Sequence, residues 1–254
     1  MLTQRSSVPD PRNLPLAAVI VAVTLAACTP LARAPAPTAP VPQQHPAEPS
    51  AHTPAAAAAP APGVMTIDAE QSVVTIIVRR AGPLARLGHD HVITSADETG
   101  SVSVGDSPET SSFDVELRVD KLAVDLPDAR TAAGAEFATP VPDAAREGTR
   151  QNMLRPEVLD GATYPVISLR SLGATGTWAD ALVRVAVTIK GRETEVSVPV
   201  QTQVTAAGLV ARGSFEVRQT ELGLQPFSVA GGVIQVADTM EIRFVIAADA
   251  RGER

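Results

Sequence analysis

The segment SSFDVELRVD alternates without a break. Phe113, Val115, Leu117 and Val119 fall on one side, and Asp114, Glu116, Arg118 and Asp120 on the other. A period of two sends successive side chains to opposite faces of a strand, so one face here is buried and the other meets water. The strand is expected to carry on through Val124. Runs of the same kind recur as SVVTIIVRR, YPVISLRS, ALVRVAVTIK, TEVSVPVQTQV, LVARGSFEVRQ and TMEIRFVIAA, with a weaker one at Ser101–Val104. Gly, Pro, Asp and Asn clusters separate them, and Lys190-Gly191-Arg192 marks a short hairpin turn.

About eight closely spaced strands with turn signals predict an all-β fold, an antiparallel sandwich or barrel. One segment breaks the pattern. PDAAREGTRQNMLRPEVLD, residues 142–160, opens on Pro and Asp, continues in helix formers and stops at Pro156, which predicts one short helix. Laid against one end of a barrel, such a helix would cover apolar contents from water.

The ends of the 254-residue chain read differently. Residues 1–28 resemble an export signal, with Arg5 and Arg12 ahead of an apolar run from Leu14 to Ala27. Leu25-Ala26-Ala27-Cys28 resembles a lipoprotein cleavage box, and Cys28 is the single cysteine of the chain, so lipidation at Cys28 is expected and an intramolecular disulfide is excluded. Residues 29–63 are Ala/Pro-rich and lack the apolar periodicity that offsets ordering entropy. They are expected to form a disordered tether that could reach on the order of 100 Å, with His45 and His52 solvated. The folded domain is then 64–250, and 251–254 a disordered tail.

Net charge is −7 and aromatic residues make up 3% of the chain. The negative charge disfavours nucleic acid as a partner. A pocket between these strands would be lined by Val, Ile, Leu and Ala, which suits a hydrocarbon chain better than a stacked base. An eight-stranded barrel is wide enough either to be filled by side chains or to hold one small ligand.

Candidate chemistry is concentrated in Gly88-His89-Asp90-His91. Extended, it would point both imidazoles to one face. Zinc needs three or four ligands, and Asp97, Glu98 or another carboxylate would have to complete the set, so no metal site is expected. There is no Gly-x-Ser-x-Gly elbow and no cysteine nucleophile in the folded part, so no enzyme is expected either. The triplet is then a structural turn, or a pair of hydrogen-bonding groups for a ligand's head group. The alternatives are a metal-binding or His-assisted activity at a barrel mouth, and a packed barrel that serves as a protein-interaction module.

From about Met65 to Asp249 the chain resembles the YceI-like, polyisoprenoid-binding family of bacterial periplasmic proteins. The resemblance rests on RQNMLRPEVLDGATYPVISLRS, VRVAVTIKGRETEVSVPV, GSFEVRQTELGL and VADTMEIRFVIAA, taken in that order and spacing. It implies a lipocalin-like antiparallel barrel that holds an isoprenoid, isoprenoid quinone or fatty-acyl chain, with no other cofactor. It also implies a periplasmic location, here with a lipid anchor in the outer membrane, and a possible homodimer. Family members usually show Arg-Asp-x-His-Leu where this chain has Arg150-Gln151-Asn152-Met153-Leu154, so the polar pair of that motif is missing. The expected ligand-binding residues are Val74, Ile76 and Val78 in the first strong strand, with His89 and His91 after it. Next come Phe113, Val115, Leu117 and Val119, and then Met153 and Leu154 at the helix end. Val185, Val187, Phe215, Val217, Met240, Ile242 and Phe244 complete the set.

Overall fold

The structure is a computed structural model that describes residues 63–204 and 208–250. The expectations for the export signal, Cys28, the tether with His45 and His52, and the C-terminal tail therefore lie outside the described residues. The first strands are β1 (Gly63–Ile67), β2 (Val73–Ala81), β3 (His91–Ser95), β4 (Thr99–Val104), β5 (Ser112–Arg118) and β6 (Ala123–Val124). Two helices follow, α1 (Pro127–Ala133) and α2 (Asp143–Met153). The chain then runs through β7 (Val166–Thr177), β8 (Asp180–Ile189), β9 (Arg192–Val204), β10 (Gly208–Arg218), β11 (Ser228–Val229) and β12 (Ile234–Asp249).

Three pairs of these strands are single strands interrupted by a turn. β1 and β2 run in the same direction along β12, broken at Asp68–Ser72, and β3/β4 and β5/β6 repeat the arrangement one and two places along. Counted that way, eight antiparallel strands form a closed barrel. The sheet passes from β5 through β7, β8, β9 and β10 to β12, and Thr66↔Asp249 and Ile67↔Ala248 join β12 back to β1. Closure removes the unpaired edges that an open sheet would present.

The β8–β9 hairpin turns on Lys190 (φ 52°) and Gly191 (φ 71°). Two successive positive-φ residues give the tight turn whose twist matches the flanking strands. β5 is shorter than its alternation suggests. It ends at Arg118, and a 3-10 turn over Val119–Lys121 intervenes before β6.

Of the two helices, α2 occupies the first part of the expected 142–160 segment. The second half winds into turns that begin at Leu154, as expected from Pro156. The other helix, α1, has Pro at its start and its stop at Gly134, but it is too short for a periodic apolar face to show in the sequence. It lies against β3. There Ala133 and Phe137 pack with Ile77 and Val92 in a small cluster separate from the main cores. This explains why VVTIIV is apolar on both sides: the outer face of β2 and β3 is covered. No helix among the described residues is long and apolar enough to cross a membrane.

Glu98, between β3 and β4, is fully buried, and neither of its carboxyl oxygens has a well-formed hydrogen bond. Burial raises its pKa, and the nearby Ser95 hydroxyl and backbone amides offset only part of that effect. A raised folded-state pKa means that the stabilising form is the protonated one. Its contribution is complete below the ordinary glutamate pKa and is lost as pH rises through the folded value. Glu98→Gln is therefore expected to be more stable than the parent at pH 8, by on the order of 1 kcal/mol. Urea unfolding should show no such gain at pH 4, and an equal gain at both values would count against the assignment.

Candidate functional site

The inward faces of the barrel strands do not fill its interior. One chamber of about 310 Å³ lies at the α2 end, and a second of about 220 Å³ lies beyond it. Six residues, Val74, Leu169, Val187, Val196, Phe215 and Ile242, line both chambers and form the waist between them. The hollow interior sets aside the packed-barrel alternative.

Most of the residues picked from the alternation lie on these walls. In the first chamber are Val74, Ile76 and Val78 of β2 with Leu117 of β5, then His89, His91 and Met153. Val187, Phe215, Val217, Met240 and Ile242 complete that set. Phe113, Val115, Val185 and Phe244 line the second chamber. Val119 and Leu154 line neither chamber. Val119 is buried in the 3-10 turn that ends the β5 alternation, and Leu122, three residues on, takes the wall position instead. Leu154 caps the C-terminus of α2 and packs against the core beside Gly161.

Other wall residues carried no usable signal in the sequence. Thr149 and Asn152 reach the first chamber from α2, and Gln219 reaches it from the end of β10. Gln219 is buried, and its Nε2 donates to the Ala237 carbonyl at 2.7 Å, within the bulge that interrupts the β12–β2 register. Only the fold brings these groups together.

The His89-Asp90-His91 triplet resolves into three different environments. His89 is exposed and lines the first chamber, so the chamber reaches the surface there. Asp90 accepts a hydrogen bond from the Arg80 backbone N–H at 2.9 Å and does not line the chamber. His91 is mostly buried at the start of β3. Its Nδ1–H donates to Asp125 Oδ2 at 2.6 Å, while its Nε2 lies 3.4 Å from Thr149 Oγ1.

Asp125 is placed by backbone geometry. Its N–H donates to the Val92 carbonyl at 2.7 Å, prolonging the β3–β6 ladder by one residue, and its φ of 52° then turns the chain toward α1. Its fully buried carboxylate accepts from the Val92 N–H at 2.9 Å and from Arg130 Nη1 at 2.7 Å. Arg130, also buried, donates in addition to the carbonyls of Asp90, Phe137 and Thr139. Burial by itself would raise the Asp125 carboxyl. The hydrogen bonds and charge of His91, with the Val92 amide and Arg130, outweigh that and hold it below the usual carboxylate range.

The arrangement orients one imidazole toward an apolar chamber. Among the described residues no group of three or more His, Cys, Asp and Glu side chains could hold a metal ion. The hydroxyl nearest His91 Nε2, that of Thr149, donates its one proton to the Ala145 carbonyl at 2.9 Å. What the site offers is burial for a hydrocarbon chain and hydrogen bonding for a polar end.

The YceI-like domain model matches residues 65–248. The chain belongs to the YceI-like domain family. No curated protein sequence matches it. Among solved structures, BcnA of Burkholderia cenocepacia is similar with a TM-score of 0.52 and 15% identity, over 71% of this chain and 98% of BcnA. The Campylobacter jejuni YCEI protein gives a TM-score of 0.47 at 9% identity, over 63% of this chain and 85% of that one. The likeness to BcnA is one of fold. In this YceI-like domain the Arg150–Leu154 stretch is only partly turned to the interior. Arg150 donates to the Asp120 carbonyl at 2.8 Å and Gln151 to Glu147 at 3.0 Å, whereas Asn152 and Met153 face the chamber.

Proposed function

We propose that this protein binds an amphiphilic lipid, an isoprenoid, isoprenoid quinone or fatty-acyl compound, inside its barrel, and carries or stores it without chemical change. The observation that carries this reading is the pair of adjoining apolar chambers within a closed YceI-like barrel. Each methylene moved from water into such a space contributes about 0.8 kcal/mol, so a long chain supplies affinity while the few polar wall groups select the head. The proposal extends to the parts outside the described residues. Lipidation at Cys28 would anchor the chain to the outer membrane from the periplasmic side, with residues 29–63 as the tether.

Native mass spectrometry of the protein purified from bacterial periplasm, followed by organic extraction, tests this directly. A one-to-one hydrophobic adduct that extraction removes is expected. A protein that arrives empty and takes up neither added fatty acid nor added isoprenoid alcohol would count against it.

A further inference from the structure

The two chambers differ in their polar groups. The second carries no ionisable side chain, only the Trp178 indole and the hydroxyls of Ser111, Ser112, Ser171 and Thr202. The first carries Arg80, His89 and His91 beside the neutral Thr149, Asn152, Gln219 and Gln235, and no carboxylate lines either chamber. An amphiphile therefore has one favourable direction: head at the Arg80/His89/His91 pole, tail through the waist.

The hydrogen bonding of His91 narrows the head further. Nδ1–H is committed to Asp125, and the Thr149 proton is committed to Ala145. His91 Nε2 is the ring nitrogen left facing the chamber, beside Thr149 and within reach of a ligand's head group. Behind the ring, Asp125 is already paired with Arg130, and Arg146 donates to the Asp125 carbonyl. At the chamber rim, Arg80 Nη1 donates to the Gly88 carbonyl at 2.9 Å, and its Nε lies 3.6 Å from Asp90. The His89 ring is exposed, with the His91 ring 6.3 Å away.

We infer that the head group is an oxyanion, a carboxylate or a phosphate, held by Arg80, His89 and His91. The inference rests on the lipid-binding reading above and specifies its ligand. A guanidinium and two imidazoles around one end of an apolar cavity, with no carboxylate among them, favour negative charge there, the guanidinium through charge-assisted hydrogen bonds. A neutral quinone or alcohol leaves that capacity unused.

The test compares hexadecanoate, hexadecyl phosphate and hexadecanol on the delipidated full chain by calorimetry at neutral pH. Both oxyanion lipids are expected to bind at least about tenfold more tightly than hexadecanol, which corresponds to about 1.4 kcal/mol. In the R80Q/H89Q variant, which alters two exposed side chains and keeps His91, the preference for hexadecanoate over hexadecanol should be largely lost. Equal binding of all three lipids by the parent would overturn the oxyanion inference and leave lipid binding standing. A preference retained by the double variant would overturn the assigned pole. Binding of none of the three, and of no added isoprenoid alcohol, would overturn the lipid reading and this inference with it.

Discussion

Replacing Asp125 with alanine is expected to cost about 3–5 kcal/mol of stability, the largest effect of any single substitution considered. The loss does not measure the strength of one ion pair. Arg130 is buried, and without Asp125 its charge has only carbonyl partners. The Val92 N–H and the His91 ring lose their acceptor at the same time. Denaturant unfolding at pH 7 measures the effect, and a loss of less than about 1 kcal/mol would show that the network is not structural. The pH dependence has a definite sign. Because the Asp125 carboxyl is held below its usual range, its contribution is complete above the unfolded-state aspartate pKa and is lost as pH falls through the folded value. Acid should therefore weaken the parent and leave Asp125→Ala comparatively unchanged.

Filling the waist should abolish long-chain binding without unfolding the barrel. Val187 lines both chambers and is buried. Phenylalanine there would extend into existing empty space rather than into a packed neighbour, so the usual overpacking cost of about 1–3 kcal/mol is largely avoided. Affinity for a long-chain amphiphile is expected to fall by about tenfold or more, equivalent to about 1.4 kcal/mol. The melting temperature should stay near that of the parent. Unchanged affinity in a folded Val187→Phe protein would mean that the ligand does not pass the waist.

Strand content and face assignment were legible wherever apolar and polar residues alternate strictly. Phe113, Val115 and Leu117 could be placed from spacing alone because a one-residue slip would have put charged neighbours inside. The reading failed two residues later, at Val119, because a 3-10 turn changes the period without any glycine or proline to mark it. In VVTIIV, spacing could not choose a face. The second apolar face belongs to Ile77, and its cover, Phe137, is brought there by the fold from 60 residues away in sequence. The same reason hides the polar pole. His91 was visible as a candidate from its neighbours, but Asp125 and Arg130 lie in an unremarkable stretch, AVDLPDAR, and acquire meaning only when β6 pairs with β3. Local periodicity reports which way a side chain faces, and tertiary pairing decides what it meets.

The seam between β1 and β12 has a kinetic consequence. β12 binds β10 along one side, and β2 and then β1 along the other, so the circle closes through Thr66 and Ile67 only when Ala248 and Asp249 have been synthesised. Topologies dominated by such distant pairings fold on the millisecond-to-second scale rather than in microseconds. Until the last strand docks, the chain is a curled sheet with open margins on β10 and β2 and an uncovered apolar lining. Its vulnerability to aggregation and proteolysis is therefore concentrated in the interval before the C-terminal strand arrives.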